Sequence, residues 1–576
     1  MSVPLRSAEW FAGRPELAFQ HRSSLRSMGI DPSHYEGRPV IGIANSWSEL
    51  NNCNMNLREV AEAVKRGVLA AGGLPLEFPT ISLGEEMMKP SAMLYRNLMS
   101  MDVEETLRAN PIDGVVLLCN CDKTTPAQLM AAASANLPAI QLNGGPRDVG
   151  RWRGKPVGSG TDIWKHWDDV RAGRISRDEW DDLEACISCG AGSCNTMGTA
   201  STMTSLSEAL GMMLPGTAAI PATDSRRISA AVETGRRIVG MVEEDLRPES
   251  ILTPAAFDNA IRTLLALGGS TNAVVHLVAI AGRRNIDLPL ARFDELSQSI
   301  PFLVNLSPSG EFLMDRFFAA GGVPAVLAEL GDLLDEDCLS VTGKTLGENL
   351  AGTHCYDREV IRLRDEPISK TGSLAVVTGN LAPHGAVIKT SAASEKLLQH
   401  RGRAVVFSHY QDMLDRIDDP ELPVDADSVL VLQNAGPKGV PGFPEWGMIP
   451  VPQKLLEQGV TDIVRISDSR MSGTSYGTVV LHLSPEAAAG GTLALVEEGD
   501  WIELDVAARK LHLDVDDDEL QRRRNAWQPP KPVHLRGYPR LYIDHVLQAH
   551  EGCDFDFLRP RSDEELQFVP PLVGRS

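Results

Sequence analysis

Three reactive side chains occupy consecutive positions in the first half of the chain. Cys121, Asp122 and Lys123 follow the apolar, β-prone run 115–120. A thiol is a soft metal ligand, a carboxylate is a hard one, and an amine carries a proton or a positive charge. The apolar run predicts a buried parallel strand, and open α/β sheets bind their ligands just beyond such strands. The alternative is a strand end with incidental polar residues.

Two further segments place metal-competent residues in the same position relative to a strand. Cys53 follows the predicted strand 39–45, and Glu85 follows the predicted strand 76–82. The carboxyl ends of parallel strands share one edge of a sheet. We therefore expect these two side chains to converge with residues 121–123, although they are far apart along the chain.

The surrounding elements alternate regularly between strand and helix. The apolar patterns predict strands at 39–45, 76–82, 115–120 and 137–142, with helices at 55–71, 92–108 and 127–136. The first helix is strongly amphipathic and ends at Gly72-Gly73. Alternation of this kind predicts an α/β fold with a doubly wound parallel sheet.

A third thiol lies in a glycine-rich turn further along the chain. Cys194 stands in Gly192-Ser193-Cys194-Asn195, and a helix of small residues is predicted after it. Backbone amides at a helix start favour an anionic ligand, such as a thiolate or an iron–sulfur cluster. With Cys53 and Cys121, three thiolates would leave one iron position open, which suits Lewis acid chemistry. Taken singly, each cysteine is more often a small buried hydrophobe.

The carboxylates suggest a second, harder metal. Glu85, Asp122 and Glu445 are oxygen ligands of the kind that Mg²⁺ prefers, although each alone would be an ordinary solvated carboxylate. Glu445 ends the glycine-rich loop 434–445, and a second such loop covers 469–477. Glycine at this density lets backbone approach a ligand closely.

The second half of the chain is richer in strands. Apolar runs predict strands at 374–378, 404–407, 428–432, 462–466 and 478–483, and a hairpin that joins 492–497 to 501–506. We therefore predict an α/β domain over residues 1–368 and a second domain, a β-barrel or β-sandwich, over residues 369–576.

Composition narrows the classes of partner. The 576 residues carry a formal net charge of -22, which argues against nucleic acid and anionic membrane as main partners. Within so acidic a chain, Arg522–Arg524 is most simply a solvated helix end. Nine scattered cysteines do not suggest a disulfide framework, and Cys186 and Cys189 lack the second pair of a zinc site. Without an apolar leader or a membrane-length apolar run, we expect a cytoplasmic protein.

Several long motifs, in order, resemble the dihydroxyacid dehydratase / phosphogluconate dehydratase superfamily over nearly the whole chain. They are Asn51-Asn52-Cys53-Asn54, Cys121-Asp122-Lys123-Thr124-Thr125-Pro126, Gly192-Ser193-Cys194-Asn195-Thr196-Met197-Gly198-Thr199-Ala200, Gly268-Gly269-Ser270-Thr271-Asn272, Gly436-Pro437-Lys438-Gly439 with Glu445, and Arg470-Met471-Ser472-Gly473-Thr474. The resemblance implies an α/β N-terminal domain, a β-barrel C-terminal domain and an active site between them.

The resemblance also implies roles for single residues and an assembly. It matches Cys53, Cys121 and Cys194 to the ligands of an iron–sulfur cluster, for which we favour 2Fe–2S over 4Fe–4S. It matches Glu85, Asp122 and Glu445 to Mg²⁺ ligands, Lys123 to a lysine that is carbamylated in some members, and Ser472 to the base. Thr474 is expected to help hold the substrate carboxylate. Members are homodimers or homotetramers.

Details of the motifs favour one branch. Thr124-Thr125-Pro126 and Asn195-Thr196-Met197-Gly198-Thr199-Ala200 look like the sugar-acid (arabinonate/xylonate) dehydratases. We expect dehydration of a 2,3-dihydroxy carboxylate such as L-arabinonate or D-xylonate to a 2-keto-3-deoxy acid. Two alternatives remain: a dihydroxyacid dehydratase of branched-chain amino-acid biosynthesis, and a non-catalytic iron–sulfur redox sensor. A sensor would not need Glu85, Glu445 and Ser472.

Overall fold

A computed structural model describes residues 4–531 and 533–566. Its first half is built around a parallel sheet in which the strand order is β2-β1-β3-β4. These strands are β1 (Val40–Asn45), β2 (Leu74–Pro79), β3 (Gly114–Cys119) and β4 (Ala139–Asn143), and a small antiparallel hairpin follows, β5 (Gly150–Trp152) and β6 (Lys155–Val157). The predicted parallel α/β sheet is confirmed, with strand ends within a few residues of those expected.

Helices cover both faces of this sheet and extend beyond it. They are α1 (Ala8–Phe11), α2 (Pro15–Ser27), α3 (Leu57–Ala70), α4 (Arg96–Ala109), α5 (Thr124–Ala135), α6 (Thr161–Arg171), α7 (Arg177–Ile187), α8 (Thr199–Ala209), α9 (Ser225–Glu244), α10 (Pro248–Ile251), α11 (Pro254–Leu267), α12 (Asn272–Gly282), α13 (Leu290–Ser297), α14 (Met314–Ala319), α15 (Gly322–Leu330) and α16 (Leu346–Leu350). No helix in the described ranges combines the length and apolar composition that a membrane span requires.

Helix α5 begins earlier than the sequence predicts. The expected loop 121–126 is shorter, because the helix starts at Thr124 with Lys123 as its N-cap residue. Pro126 therefore lies in the first turn, where a missing N–H costs no helical hydrogen bond. The consequence is that Lys123 is held rigidly at the junction of β3 and α5.

The second half forms a nearly closed barrel-like sheet. Its strands are β7 (Ala375–Val377), β8 (Ala386–Ile388), β9 (Gln399–Phe407), β10 (Val429–Leu432), β11 (Val464–Ser467), β12 (Val479–Leu481), β13 (Trp501–Asp505) and β14 (Lys510–Asp514). They are arranged in the order β14-β13-β9-β10-β11-β12-β8-β7. The two ends of the sheet meet where Thr378 N donates to Arg509 O and Leu511 N donates to Thr378 O, at 2.9 and 2.8 Å. The predicted barrel is confirmed.

One predicted hairpin of this region is wrong. Residues 492–497 do not form a strand, since Thr492–Leu495 is a 3₁₀ helix. The tight turn at residues 497–500 exists, but the antiparallel partner of β13 beyond it is β14. The apolar side chains of Leu493 and Leu495 are buried without strand pairing, so their hydrophobic pattern imitated that of a strand.

The remaining helices are α17 (Tyr410–Arg416), α18 (Gln453–Glu457), α19 (Asp517–Ala526) and α20 (Gly537–His545). The chain after α20 returns to the first half, where the buried guanidinium of Arg283 pairs with Asp554 and that of Arg96 donates to Cys553 O at 2.9 Å. Residues 553 and 554 thus pack against α4 and the end of α12, both in the first half of the chain. The domain boundary at residue 368 stays a prediction.

Candidate active site

The carboxyl edge of the parallel sheet gathers the loops that the sequence singled out. Cys53 lies in a short 3₁₀ turn after β1, and Cys121 lies two residues beyond β3. The amide of Asn120 ties these loops together, because its Nδ2 donates to Cys53 O at 2.7 Å and to Gly145 O, after β4, at 2.9 Å. The loops that follow β1, β3 and β4 therefore meet in a cluster at one edge of the sheet, as the alternation of strands and helices predicted.

The three cysteines predicted as cluster ligands lie together in this cluster. The thiol of Cys53 hydrogen-bonds to that of Cys121, and both Cys121 and Cys194 are close enough to interact electrostatically with Cys53. The hydrogen bond to Cys121, burial and the neighbouring thiols raise the pKa of Cys53 well above its usual range. The pKa of Cys194 is raised to about 12, and burial is the main cause. Without a metal, Cys53 and Cys194 stay protonated, and a soft cation is what would favour their thiolate forms.

Arg147 completes this thiol cluster and was missed at the sequence level. Its Nη2 lies 3.7 Å from Cys53 Sγ, and its Nη1 donates to Ser188 Oγ at 2.7 Å. This buried guanidinium favours the ionised forms of Cys53 and Cys194. The available signal was its position, because Arg147 follows the end of β4 just as Cys121 follows β3.

The predicted Mg²⁺ ligands surround the ammonium group of Lys123. Lys123 Nζ lies 3.1 Å from Glu85 Oε2, 3.3 Å from Asp122 Oδ2 and 3.0 Å from Glu445 Oε1. Burial disfavours the charged amine, but the carboxylates of Glu445, Glu85 and Asp122 outweigh it and raise the pKa of Lys123. Glu85 comes from the loop after β2, and Glu445 comes from the barrel half.

The carboxylates themselves differ in electrostatic environment. Burial and the charges of Glu445 and Glu85 raise the pKa of Asp122 to about 6, although Lys123 opposes the shift. Glu445 is equally buried, but Lys123 and Arg470 overcome the effect of burial and lower its pKa to about 2. The group therefore stabilises a cation at its centre.

These residues fit the two implied metals chemically. Three hard oxygen donors around a cationic centre suit Mg²⁺, and three adjacent thiols suit iron. Across residues 4–531 and 533–566, no three His, Cys, Asp or Glu side chains already converge on a single point as a metal site. At the carboxylates the physical reason is that the Lys123 ammonium lies between them.

A second set of residues, also missed as site residues, holds Glu445 in place. Arg470 Nη1 and Asn272 Nδ2 both donate to Glu445 Oε1, at 2.8 and 2.9 Å. Arg470 Nη2 also donates to Ser91 Oγ at 3.0 Å, and Ser91 donates to Glu85 at 2.9 Å. Asn272 and Arg470 both lie in motifs noted in the sequence, so their position in those motifs was the available signal.

Ser472 and Thr474 lie on a loop that contacts both halves of the molecule. The two hydroxyl oxygens are 2.9 Å apart, and Thr474 N donates to Ser472 Oγ at 3.3 Å. Asn272 Nδ2, which binds Glu445, also donates to Met471 O at 3.1 Å. A Cβ on Gly473 would meet Thr199 N at 2.4 Å, so this loop needs glycine to reach the start of α8.

The cysteines that we left out of the site have ordinary surroundings. Cys119 is fully buried in β3 and accepts a hydrogen bond from Thr125 Oγ1 at 3.4 Å. Cys186 and Cys189 are partly exposed, and Cys189 Sγ donates to Cys186 O at 3.4 Å. These contacts satisfy the thiols of Cys119 and Cys189 locally.

Known protein families and relatives match this chain over most of its length. Residues 38–349 match the family described as dihydroxy-acid/6-phosphogluconate dehydratase N-terminal, and residues 359–553 match the corresponding C-terminal family. The chain is 54% identical over 563 residues to an L-arabonate dehydratase of Azospirillum brasilense, covering 96% of this chain and 97% of the relative. It is 50% identical over 558 residues to a 6-deoxy-6-sulfo-D-gluconate dehydratase of Pseudomonas putida, covering 96% of each chain.

A relative of the other branch is more distant. The identity to a dihydroxy-acid dehydratase of Ignicoccus hospitalis is 43% over 554 residues, covering 94% of this chain and 99% of the relative. Both family matches and all three relatives are dehydratases, which cleave a carbon–oxygen bond with loss of water. The chain belongs to the dihydroxy-acid/6-phosphogluconate dehydratase family and is a hydro-lyase.

Proposed function

We propose that this dehydratase acts on an aldonic sugar acid such as L-arabinonate or D-xylonate and yields the 2-keto-3-deoxy acid. The observation that carries the proposal is the set of three carboxylates around Lys123. These carboxylates lie beside three thiols, and Asn272 links one of them, Glu445, to the Ser472 loop. The names of relatives at 50 to 54% identity support a sugar acid over a branched-chain substrate.

The cofactors that we propose follow from the donor sets. Cys53, Cys121 and Cys194 would hold an iron–sulfur cluster, 2Fe–2S in preference to 4Fe–4S. Glu85, Asp122 and Glu445 would hold Mg²⁺ together with Lys123, whose carbamylated form would add an oxygen ligand. When bound, the two groups supply Lewis acid charge at the substrate carboxylate with its 2-hydroxyl and at the departing 3-hydroxyl.

Ser472 would take the proton from C2 of the substrate as an alkoxide. The structure supports this role through the N–H and hydroxyl of Thr474, both within hydrogen-bond distance of Ser472 Oγ. The loop also packs against the first turn of α8, whose backbone dipole favours negative charge. Loss of the C2 proton and of the 3-hydroxyl as water leaves an enol, which tautomerises to the 2-keto acid. Thr474 would also help hold the substrate carboxylate.

Replacement of the serine tests the base assignment. Ser472→Ala should reduce keto-acid formation by about 10³-fold while the visible absorption of the anaerobically purified protein stays unchanged. Ser24→Ala, on the exposed face of α2, is the matched control and should retain full activity. Substantial turnover by Ser472→Ala would contradict the assignment.

The thiol assignment has a separate spectroscopic test. Cys53→Ser, Cys121→Ser and Cys194→Ser should each lose the visible absorption of the cluster. Cys186→Ser is the matched control and should keep it, because Cys186 is not among the clustered thiols. Unchanged absorption in any of the three ligand variants would remove that residue from the proposed set.

A substrate panel separates the remaining alternatives. Keto-acid formation from L-arabinonate and D-xylonate is expected to exceed that from 2,3-dihydroxyisovalerate, whereas a branched-chain dehydratase would show the reverse order. A redox sensor would form keto acid from none of them. A homodimer or homotetramer, a cytoplasmic location and a division into domains 1–368 and 369–576 stay predictions.

A further inference from the structure

Lys389 is a buried amine that the proposed reaction does not use. It directly follows β8, is 1% exposed, and its Nζ has no hydrogen-bond partner within the described protein. A buried polar group without a partner costs a folded protein free energy, so such groups in native structures need an explanation. A ligand that carries oxygen acceptors would supply the missing partner.

The orientation of Lys389 follows from its strand. The side chains of Ala386 and Ile388 point into the barrel core, whereas Val387 packs against the core of the first half. Lys389 has extended backbone, so alternation places its side chain on the same face as Val387. The amine therefore faces the junction of the two halves and not the interior of the barrel.

The segment that carries Lys389 is bound to the loops of the candidate site. Gly477, at the end of the Ser472 loop, donates its N–H to Ala392 O at 2.8 Å. Ser391 Oγ lies 2.9 Å from Ser309 Oγ. The loop of Ser309 in turn holds the Cys194 segment, because Met197 N donates to Ser307 O at 2.9 Å.

The adjacent strand brings Lys389 near Ser472. The β8–β12 register pairs Ile388 with Val480, so Lys389 lies beside Val479. Val479 packs with Met471, the residue that precedes Ser472. The buried hydroxyl of Ser475, in the same loop as Ser472, also lacks a hydrogen-bond partner among the described residues. An unsatisfied hydroxyl thus lies in one of the loops that we propose to surround the substrate.

The contacts of the site carboxylates indicate which end of a substrate Lys389 would meet. Burial alone lowers its pKa to about 7, and no charged side chain contributes to the shift. The ion pairs of Glu85, Asp122 and Glu445 are to Lys123 and Arg470, so these carboxylates are not partners of Lys389. These carboxylates are the ones proposed to hold the metal at the carboxylate end of the substrate, and Lys389 contacts none of them.

We propose that Lys389 is a substrate-binding residue that donates hydrogen bonds to the hydroxyls at the distal end of an acyclic sugar acid, opposite its carboxylate. The inference rests on the proposed sugar-acid function and extends it. A site built to hydrogen-bond a hydroxyl discriminates strongly against analogues that lack it. Lys389 would then favour aldonates over dihydroxy acids with short or apolar tails.

The experiment measures binding in a Ser472→Ala background, in which substrate is not consumed. Calorimetric titrations compare L-arabinonate with glycerate. Glycerate is a three-carbon 2,3-dihydroxy acid, so it lacks the distal carbons of L-arabinonate and their hydroxyls. Adding Lys389→Met should weaken the binding of L-arabinonate at least about tenfold and change the binding of glycerate less than about twofold. Lys396→Met, an exposed lysine of the same segment, is the matched control and should change neither.

The outcomes separate the two proposals. Equal loss for both acids, or no loss for either, would overturn the assignment of Lys389. If Lys389→Met fails to fold by circular dichroism, Lys389→Gln takes its place, and the same comparison of the two acids decides. Absence of keto-acid formation from every aldonate by the wild-type holoenzyme would instead refute the proposed function.

Discussion

Two buried lysines show how differently one side chain behaves in two regions of this molecule. Lys123 and Lys389 are 0% and 1% exposed. Three carboxylates surround Lys123 and raise its pKa, whereas burial lowers the pKa of Lys389 to about 7 and its amine has no hydrogen-bond partner among the described residues. Burial alone therefore does not decide the charge state, because the loops that meet the amine determine whether its ammonium form is stabilised.

The two shifts affect stability with opposite signs. The raised pKa of Lys123 contributes stability at every pH below the unfolded pKa of about 10.4, and this contribution is lost only above it. Lys389 binds fewer protons in the folded than in the unfolded state between pH 7 and about 10.4, so its lowered pKa makes stability rise with pH across that window. Four substitutions test this contrast.

The largest effect is expected for Lys123→Met. The change leaves the carboxylates of Glu85, Asp122 and Glu445 buried without their shared cation. The free energy of unfolding in urea, measured with chelator present, should fall by about 3–5 kcal/mol at pH 7. Unchanged stability would mean that the carboxylates are neutral or solvated in the metal-free protein.

A smaller loss of free energy of unfolding is expected for Glu445→Gln. The pKa of Glu445 is lowered to about 2 because Lys123 and Arg470 overcome the effect of its burial. A depressed carboxyl pKa contributes stability above the unfolded value, so the substitution should cost about 2–3 kcal/mol at pH 7. The cost should shrink as the pH falls from about 4.3 towards 2, which acid unfolding curves of both proteins would measure. A cost that is independent of pH would contradict the pairing.

Lys389→Met should stabilise the ligand-free protein, whereas Lys123→Met and Glu445→Gln should destabilise it. Removing an unpartnered buried amine is expected to raise the free energy of unfolding by about 1–2 kcal/mol at pH 7. Because wild-type stability rises with pH above 7, the gain should decrease towards pH 10. Urea unfolding at pH 7, 8 and 9 measures the trend, and Lys396→Met should show none of it. Destabilisation at pH 7 would imply a partner for the amine within the protein.

The smallest effect is expected for Lys65→Met at the surface. Lys65 pairs with Glu62 and Glu77, but its side chain is 26% exposed. Solvent-exposed ion pairs contribute little, so the loss should stay below about 1 kcal/mol and disappear at high salt. A loss as large as that for Lys123→Met would show that ion pairing alone, without burial, explains the contrast.

Prediction of strands and helices from the sequence succeeded where the hydrophobic periodicity of a segment reflects its burial. The alternating runs of β1 to β4 and their helices matched the structure, since period and length distinguish buried strands from amphipathic helices. The same reasoning failed at 492–497, where buried Leu493 and Leu495 belong to a 3₁₀ helix. Hydrophobic pattern identifies a buried segment, but it does not say whether a neighbouring strand is present to pair with it.

The candidate site shows the same limit. Placement after strands was enough to expect Cys53, Glu85 and residues 121–123 at one edge of the sheet. It carried no information about Arg147 beside Cys53, or about Arg470 and Asn272 on Glu445. These contacts depend on which loops meet in space, and no local periodicity records that.

The sequence by itself determined the parallel sheet, the edge at which its loops carry thiols and carboxylates, and the family to which the motifs belong. The fold in three dimensions was needed to show that Glu445, 322 residues from Lys123, shares that lysine with Glu85 and Asp122, and that the Lys389 amine has no hydrogen-bond partner among residues 4–531 and 533–566. The physical reason is that strand and helix periodicity are local, whereas the charge state of a buried amine depends on groups brought to it from distant segments.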